Sequence, residues 1–273
     1  MTNAPPPVFS SVSGGKRYRL GRLFAADGRS VILPVDHGSM LGRVRGLEDP
    51  VAILDRFLPL GCDGFLLGPG VTARTADRFA RKDAPARLLT IDTYWRGPDA
   101  ERHVLMTSLA QGAALGVDGV KILMPWDVAP AERAARSALI AEVVTGAEPF
   151  GLPVMVEPIV LASPRPPEAT AIEADGCRMA AELGADIIKV FPPEDPEVLA
   201  AWCSELGLPV VILGGPAAEG SEELLAVVKQ AVDAGARGVT IGRRVWQRPL
   251  DEAVEVLASL IEIVHPGGSQ ERP

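Results

Sequence analysis

Five short segments carry residue types suited to acid–base or covalent chemistry on a carbonyl. The first is Asp36-His37-Gly38-Ser39, directly after the apolar run Val31–Val35. A carboxylate beside an imidazole at a strand end is placed for proton transfer. The plainer reading is a loop aspartate that caps the next segment, with His37 a structural donor. The second and third are lysines inside apolar runs, Lys121 in Gly119-Val120-Lys121-Ile122-Leu123 and Lys189 in Ile187-Ile188-Lys189-Val190. Such a lysine either faces a polar cavity or is buried at a cost. Burial beside another cation disfavours the ammonium form and frees the amine to attack carbonyls, which is what a Schiff base requires. The competing reading is a strand lysine that snorkels from the rim or pairs with Asp36 or Glu157. The fourth segment is Val156-Glu157-Pro158, whose carboxylate can serve as acid/base or as a lysine partner. The fifth is a pair of glycine sites, Leu213-Gly214-Gly215-Pro216 and Ile241-Gly242-Arg243-Arg244. There glycine lets backbone N–H groups approach phosphate oxygens, and an arginine adds a charge-assisted contact.

Other chemistries are poorly supplied. The three histidines, His37, His103 and His265, lie in distant contexts without the spacing of a metal site, so neither metal nor cofactor is expected. No phosphate-binding loop of the Gx₄GK[ST] form and no GxSxG elbow is present, which argues against ATP chemistry and serine hydrolysis. A net charge of −8 argues against nucleic acid or an anionic membrane as partner. No run approaches the ~18 apolar residues of a membrane-spanning helix. Cys62, Cys177 and Cys203 lie far apart, so no disulfide framework is expected. The N-terminal segment lacks the apolar core of a signal peptide. A cytoplasmic protein acting on a small phosphorylated molecule is the expectation.

These residues need a scaffold, and the 273-residue chain alternates short β-branched runs with longer helical patterns. Strands are predicted at Val31–Val35, Gly64–Leu67, Leu88–Ile91, Gly119–Leu123, Pro153–Val156, Asp186–Val190, Pro209–Leu213 and Gly238–Ile241. Each is nearly continuously apolar, as a parallel strand buried on both faces reads. Helices are predicted over Ala100–Leu115, Pro130–Thr145, Pro167–Leu183, Ser221–Ala234 and Leu250–Val264. A small-residue turn precedes several strands: Leu60-Gly61-Cys62-Asp63-Gly64, Leu115-Gly116-Val117-Asp118-Gly119, Leu183-Gly184-Ala185-Asp186 and Ala234-Gly235-Ala236-Arg237-Gly238. Eight such units predict a single α/β domain, a (β/α)8 TIM barrel over residues 17–266, with flexible segments at 1–16 and 267–273. A doubly wound open sheet is the alternative; no GxGxxG follows the first strand. In a barrel of this kind the strands' C-terminal ends carry the chemistry, and all five segments fall there.

The chain resembles the class I, Schiff-base aldolases of the deoxyribose-phosphate aldolase/tagatose-bisphosphate aldolase superfamily. It is most similar to the branch with archaeal-type fructose-bisphosphate aldolases, dideoxyheptulosonate-type synthases and the autoinducer phosphate thiolase. The matching pieces are Leu33-Pro34-Val35-Asp36-His37-Gly38, the segment from Ala181 to Lys189, Ile212-Leu213-Gly214-Gly215, and the segment from Gly238 to Gln247. The resemblance covers residues 17–265. It implies Lys189 as the Schiff-base lysine, Asp36 as a proton-transfer residue, and Gly214, Gly215, Gly242 and Arg243 as the phosphate site; His37, next to Asp36 in sequence, is a further candidate for binding the substrate. Fructose-bisphosphate aldolases of this branch carry a Tyr-Pro beyond strand four, where this chain reads Leu123-Met124-Pro125-Trp126. Lys121 with Glu157 is instead similar to the pair that assists the lysine in tagatose-bisphosphate aldolases. The implied activity is C–C bond making or breaking with a donor like dihydroxyacetone phosphate and a sugar-derived or amino-acid semialdehyde acceptor. A thiolase-like acyl transferase and a non-catalytic phosphosugar-binding barrel are the alternatives. Related barrels assemble further, so a homo-oligomer is expected by analogy.

Overall fold

The apolar runs become strands. A computed structural model describes residues 12–96, 101–215 and 220–267. In chain order the strands are β1 (Ser30–Pro34), β2 (Gly64–Leu67), β3 (Ala86–Thr90), β4 (Asp92–Arg96), β5 (Glu101–Leu105), β6 (Gly119–Pro125), β7 (Val154–Ile159), β8 (Ile187–Val190), β9 (Val210–Leu213) and β10 (Gly238–Thr240). All but β4 and β5 pair in parallel and close into one eight-stranded barrel, β1 meeting both β2 and β10. Ile32 sits opposite Gly64 on one side and Thr240 on the other. The closure excludes the open doubly wound sheet, and the eight predicted strands match the eight staves.

Strand periodicity divides the core in two. Ile32, Leu66, Leu88, Met155, Ile187 and Val211 point into the barrel and form one cluster. Their neighbours Val31, Leu33, Leu89, Val156, Ile188 and Ile212 point out and pack against the surrounding helices. The inner cluster also contains Leu20, Leu23 and Phe24, from a helix at Gly14–Leu23 and its C-terminal cap. That helix stoppers the N-terminal end of the barrel. Residues 14–16, expected in a flexible arm, instead open it, and Lys16 is buried against Asp186 at 2.9 Å with Glu148 beside it. Residues 1–11 and 268–273 of the two expected flexible segments lie outside the described residues.

The small-residue turns do more than reverse the chain. Gly61, Gly116, Gly184 and Gly235 have φ of +88°, +68°, +92° and +106°, a region other residues enter only with strain. The aspartates that follow reach sideways to the neighbouring strand. Asp63 accepts from Val31 N–H at 2.7 Å, Asp118 from Arg87 N–H at 2.8 Å and Asp186 from Val154 N–H at 2.9 Å. Each then meets a cation from a terminal helix: His265, Arg22 and Lys16 respectively.

His265 bridges Asp27 (Nδ1, 2.7 Å) and Asp63 (Nε2, 2.9 Å). Burial opposes its charge, but the two carboxylates outweigh burial and raise its pKa to about 9. A group raised from about 6.5 stabilises the fold fully below that value, and the gain is lost as pH rises through about 9. Denaturant midpoints are therefore expected to fall between pH 6.5 and 9, and His265→Gln to flatten that slope while costing ~2 kcal/mol near neutrality. An unchanged slope in the variant refutes this.

One predicted helix fails. Ala100–Leu115 is helical only at Leu109–Ala114. Within it Glu101–Leu105 pairs antiparallel with Asp92–Arg96, placing Tyr94 opposite His103 and Trp95 opposite Arg102. The aromatic and β-branched content of Thr93-Tyr94-Trp95 finds a partner strand, and pairing overrides the helical pattern. Among the described residues, no helix is long and apolar enough to cross a membrane.

Candidate active site

Two residues beyond the inner apolar layer, the same inward parity delivers polar side chains. Thr90 follows Leu88, Glu157 follows Met155, Lys189 follows Ile187, and Lys121 sits opposite Thr90 in register. The lysine amines converge on one carboxylate oxygen, Lys121 Nζ at 2.8 Å and Lys189 Nζ at 3.0 Å from Glu157 Oε2. All three are buried, Lys121 2%, Glu157 5% and Lys189 7% exposed. Buried charges persist only when paired, so the triad is a unit.

The electrostatics follow from that geometry. Burial by itself raises the Glu157 carboxyl, but Lys121 and Lys189 override it and hold its pKa at about 2. Burial works against the Lys121 ammonium too, yet Glu157, Asp92 and Asp36 together raise its pKa above the ordinary lysine value. Lys121 thus keeps its proton and Glu157 its charge at neutral pH.

Asp36 closes the ring of groups from β1. Its Oδ2 accepts a short hydrogen bond from Thr90 Oγ1, and its Oδ1 lies 3.6 Å from His37 Nδ1. Burial depresses His37 to about 4; Asp36 opposes this while Arg243 and Lys189 add to it, so His37 is neutral above pH 5. The imidazole stands edge-on to the Trp246 ring at 5.5 Å, and Trp246 Nε1 donates to Pro34 O at 3.0 Å. That bond ties the segment after β10 to the end of β1.

Of the other residues singled out in the sequence, Arg243 belongs to this group and Arg244 does not. Burial lowers the Arg243 guanidinium while Glu157 and Asp36 pull it back, which places it in the same field. Its Nε is buried with no hydrogen-bond partner among the described residues. Arg244 turns to a separate cavity beside Glu223, at 3.8 Å. The glycines are tightly held: a Cβ on Gly242 would lie 2.5 Å from Pro34 O, and one on Gly214 2.8 Å from Ile241 Cγ2. Gly215 has φ of +69°. Residues 216–219 of the loop after β9 lie outside the described residues. Trp126 packs away from the mouth: a Cβ on Gly176, in the helix Ala169–Glu182, would meet its ring at 3.2 Å.

Three participants escaped sequence reading. Thr90 orients Asp36. Asp92, fully buried, accepts from Leu123 N–H at 2.9 Å, lies 2.7 Å from His103 Nε2 and adds to the field on Lys121. Thr93 Oγ1 donates to Ser39 O at 2.7 Å, fastening the β4–β5 ribbon to the segment after β1. The available signal was parity: Leu88, Thr90 and Asp92 share one face.

Comparison with known proteins places the chain in a family. A model of the DeoC/LacD family aldolases matches residues 30–248. A 2-amino-3,7-dideoxy-D-threo-hept-6-ulosonate synthase of Archaeoglobus fulgidus is 32% identical over 257 residues, covering 92% of this chain and 91% of its own. An uncharacterised aldolase of Saccharolobus solfataricus is 26% identical over 263 residues, covering 92% and 94%. Among solved structures, an archaeal fructose-1,6-bisphosphate aldolase with its catalytic lysine covalently bound to the carbinolamine intermediate of the substrate superposes with a TM-score of 0.76. It shares 27% identity and covers 91% of this chain and 99% of its own.

Proposed function

Since the chain belongs to the DeoC/LacD family of aldolases, we propose that it is a metal-independent class I aldolase working through a Schiff base on Lys189. The observation that carries this reading is the Lys189 amine, buried at the C-terminal end of β8 and 3.0 Å from a carboxylate it shares with Lys121. The neutral amine adds to the ketone of a phosphorylated donor such as dihydroxyacetone phosphate. Loss of water from the carbinolamine leaves an iminium, which withdraws electrons from the adjacent carbon and permits an enamine. The enamine attacks an acceptor aldehyde, either sugar-derived or an amino-acid semialdehyde; the reverse sequence cleaves the bond.

Each neighbour has a task. Glu157, held near 2, is not a proton donor at neutral pH; it is the counter-ion of the iminium and fixes both lysines. Lys121 keeps Glu157 paired when Lys189 is neutral. Asp36, oriented by Thr90, moves protons between carbinolamine, enamine and acceptor. Arg243, with the glycine-bearing ends of β9 and β10, takes the donor phosphate, and neutral His37 hydrogen-bonds beside it. The absence of a tyrosine beyond β6 separates this site from one built for fructose-bisphosphate cleavage.

Borohydride reduction in the presence of dihydroxyacetone phosphate tests the reading. The expected result is a mass increase of one reduced donor per chain, mapped to the Lys189 peptide. A folded protein that binds the donor without a reducible adduct overturns it in favour of a phosphosugar-binding barrel.

A further inference from the structure

At the opposite end of the barrel, Arg19, Arg22, Arg81, Lys82 and Arg87 line a single cleft of about 620 Å³. Asp118 is the one carboxylate among the lining residues described. The cleft lies between the stoppering helix, the segment before β3 and the turn before β6, so it is remote from Lys189 at the strands' other ends. In a chain of net charge −8, such a concentration of cations is not inherited from composition.

Internal structure consumes part of it. Arg22 Nε is paired with Asp118 at 2.7 Å, and Arg19 donates to the carbonyls of Val117 and Gly151. Arg87 Nη2 donates to Leu115 O at 2.7 Å and Gly116 O at 3.1 Å, its guanidinium lying 5.2 Å from the Phe79 ring centroid. Asp118 offsets the charge of Arg22, whereas the carbonyl contacts fix Arg19 and Arg87 without neutralising them. Arg87 is 9% exposed, and its Nη1 is buried with no hydrogen-bond partner among the described residues. Burial lowers its pKa, with only Asp118 opposing. Arg81 reaches Asp83 at a loose 3.7 Å, and Lys82 is exposed at the rim. The result is a preorganised guanidinium at the floor, an excess of positive charge on the walls and room for a small molecule.

We infer that this cleft is a second ligand site, binding a compact phosphate- or diphosphate-bearing small molecule through Arg87, Arg81 and Lys82. It does not depend on the aldolase reading.

Titration calorimetry of the full chain with inorganic pyrophosphate is the test, with Arg243→Ala as background to remove anion binding at the mouth. That variant is expected to retain one salt-sensitive pyrophosphate site. Adding Arg81→Ala and Lys82→Ala, both exposed and harmless to the fold, is expected to weaken the site at least ~10-fold, as loss of two phosphate contacts should. Arg87→Met should abolish it; circular dichroism checks its folding, and the exposed pair decides the matter if it does not fold. Three results overturn the proposal: no pyrophosphate binding in Arg243→Ala, unchanged binding after the two further substitutions, or a sedimenting oligomer that the Arg81/Lys82 substitutions split. In the last case a second copy of the chain occupies the cleft.

Discussion

Lys189→Met is expected to abolish turnover, by ~10⁴-fold or more, because covalent catalysis has no alternative once its nucleophile is gone. Methionine approximates the length of the lysine stem and removes only the amine. The fold is expected to survive, since Glu157 keeps Lys121 at 2.8 Å and is not left unpaired. Lys121 is a poor substitute nucleophile: Glu157, Asp92 and Asp36 hold its proton firmly. The measurement is steady-state turnover alongside borohydride trapping. Turnover and adduct should vanish together. An adduct on Lys121 in the variant would place the Schiff base on the other strand and refute the assignment.

Glu157→Gln produces the second large effect through electrostatics. The amide has nearly the same shape, but two buried amines then share a neutral partner. Breaking a buried ion pair costs ~3–5 kcal/mol when a charge is stranded, and a Lys121 proton loss at lower pH is the way the site relieves it. Catalysis also loses the counter-ion of the iminium, for which a fall of ~10²–10³ in kcat is expected. The wild-type carboxyl, depressed to about 2 from about 4.5, contributes stability that is complete above 4.5 and lost as pH falls through about 2. The variant should lack that acid-limb dependence. A general-acid role for Glu157 would instead put an ionisation near neutrality into the wild-type rate profile. Wild-type kcat in Glu157→Gln, or a smaller loss than Thr90→Val gives, would remove Glu157 from the chemistry.

The stopper helix and the ribbon show how the fold serves this triad. Leu20, Leu23 and Phe24 fill the barrel's N-terminal end, beneath the layer that carries the lysines. The ribbon brings Asp92 to the field of Lys121 and is held to the Asp36 segment by Thr93. Neither feature resembles anything in the strand pattern.

What could be read from the chain alone were the local periodicities. A strand buried on both faces must be apolar throughout, so eight such runs stood out, and a lysine within one had to be explained by chemistry or pairing. Strand-end position made Glu157 a candidate partner for Lys121 and Lys189, while which strand face is the inner one came from the closed barrel. Glycine's conformational freedom marked the turns. What the sequence could not contain was convergence. That Lys121 and Lys189, 68 positions apart in number, meet on the same oxygen of Glu157 depends on barrel closure and strand register. That Glu101–Leu105 is a strand depends on Asp92–Arg96 lying alongside it, a tertiary pairing stronger than its local helical pattern. That Arg243 faces the carboxylates while Arg244 faces a different cavity is decided by one short turn packed on Pro34. Local sequence sets which side of an element a residue occupies; only packing between elements sets which residues share a charge.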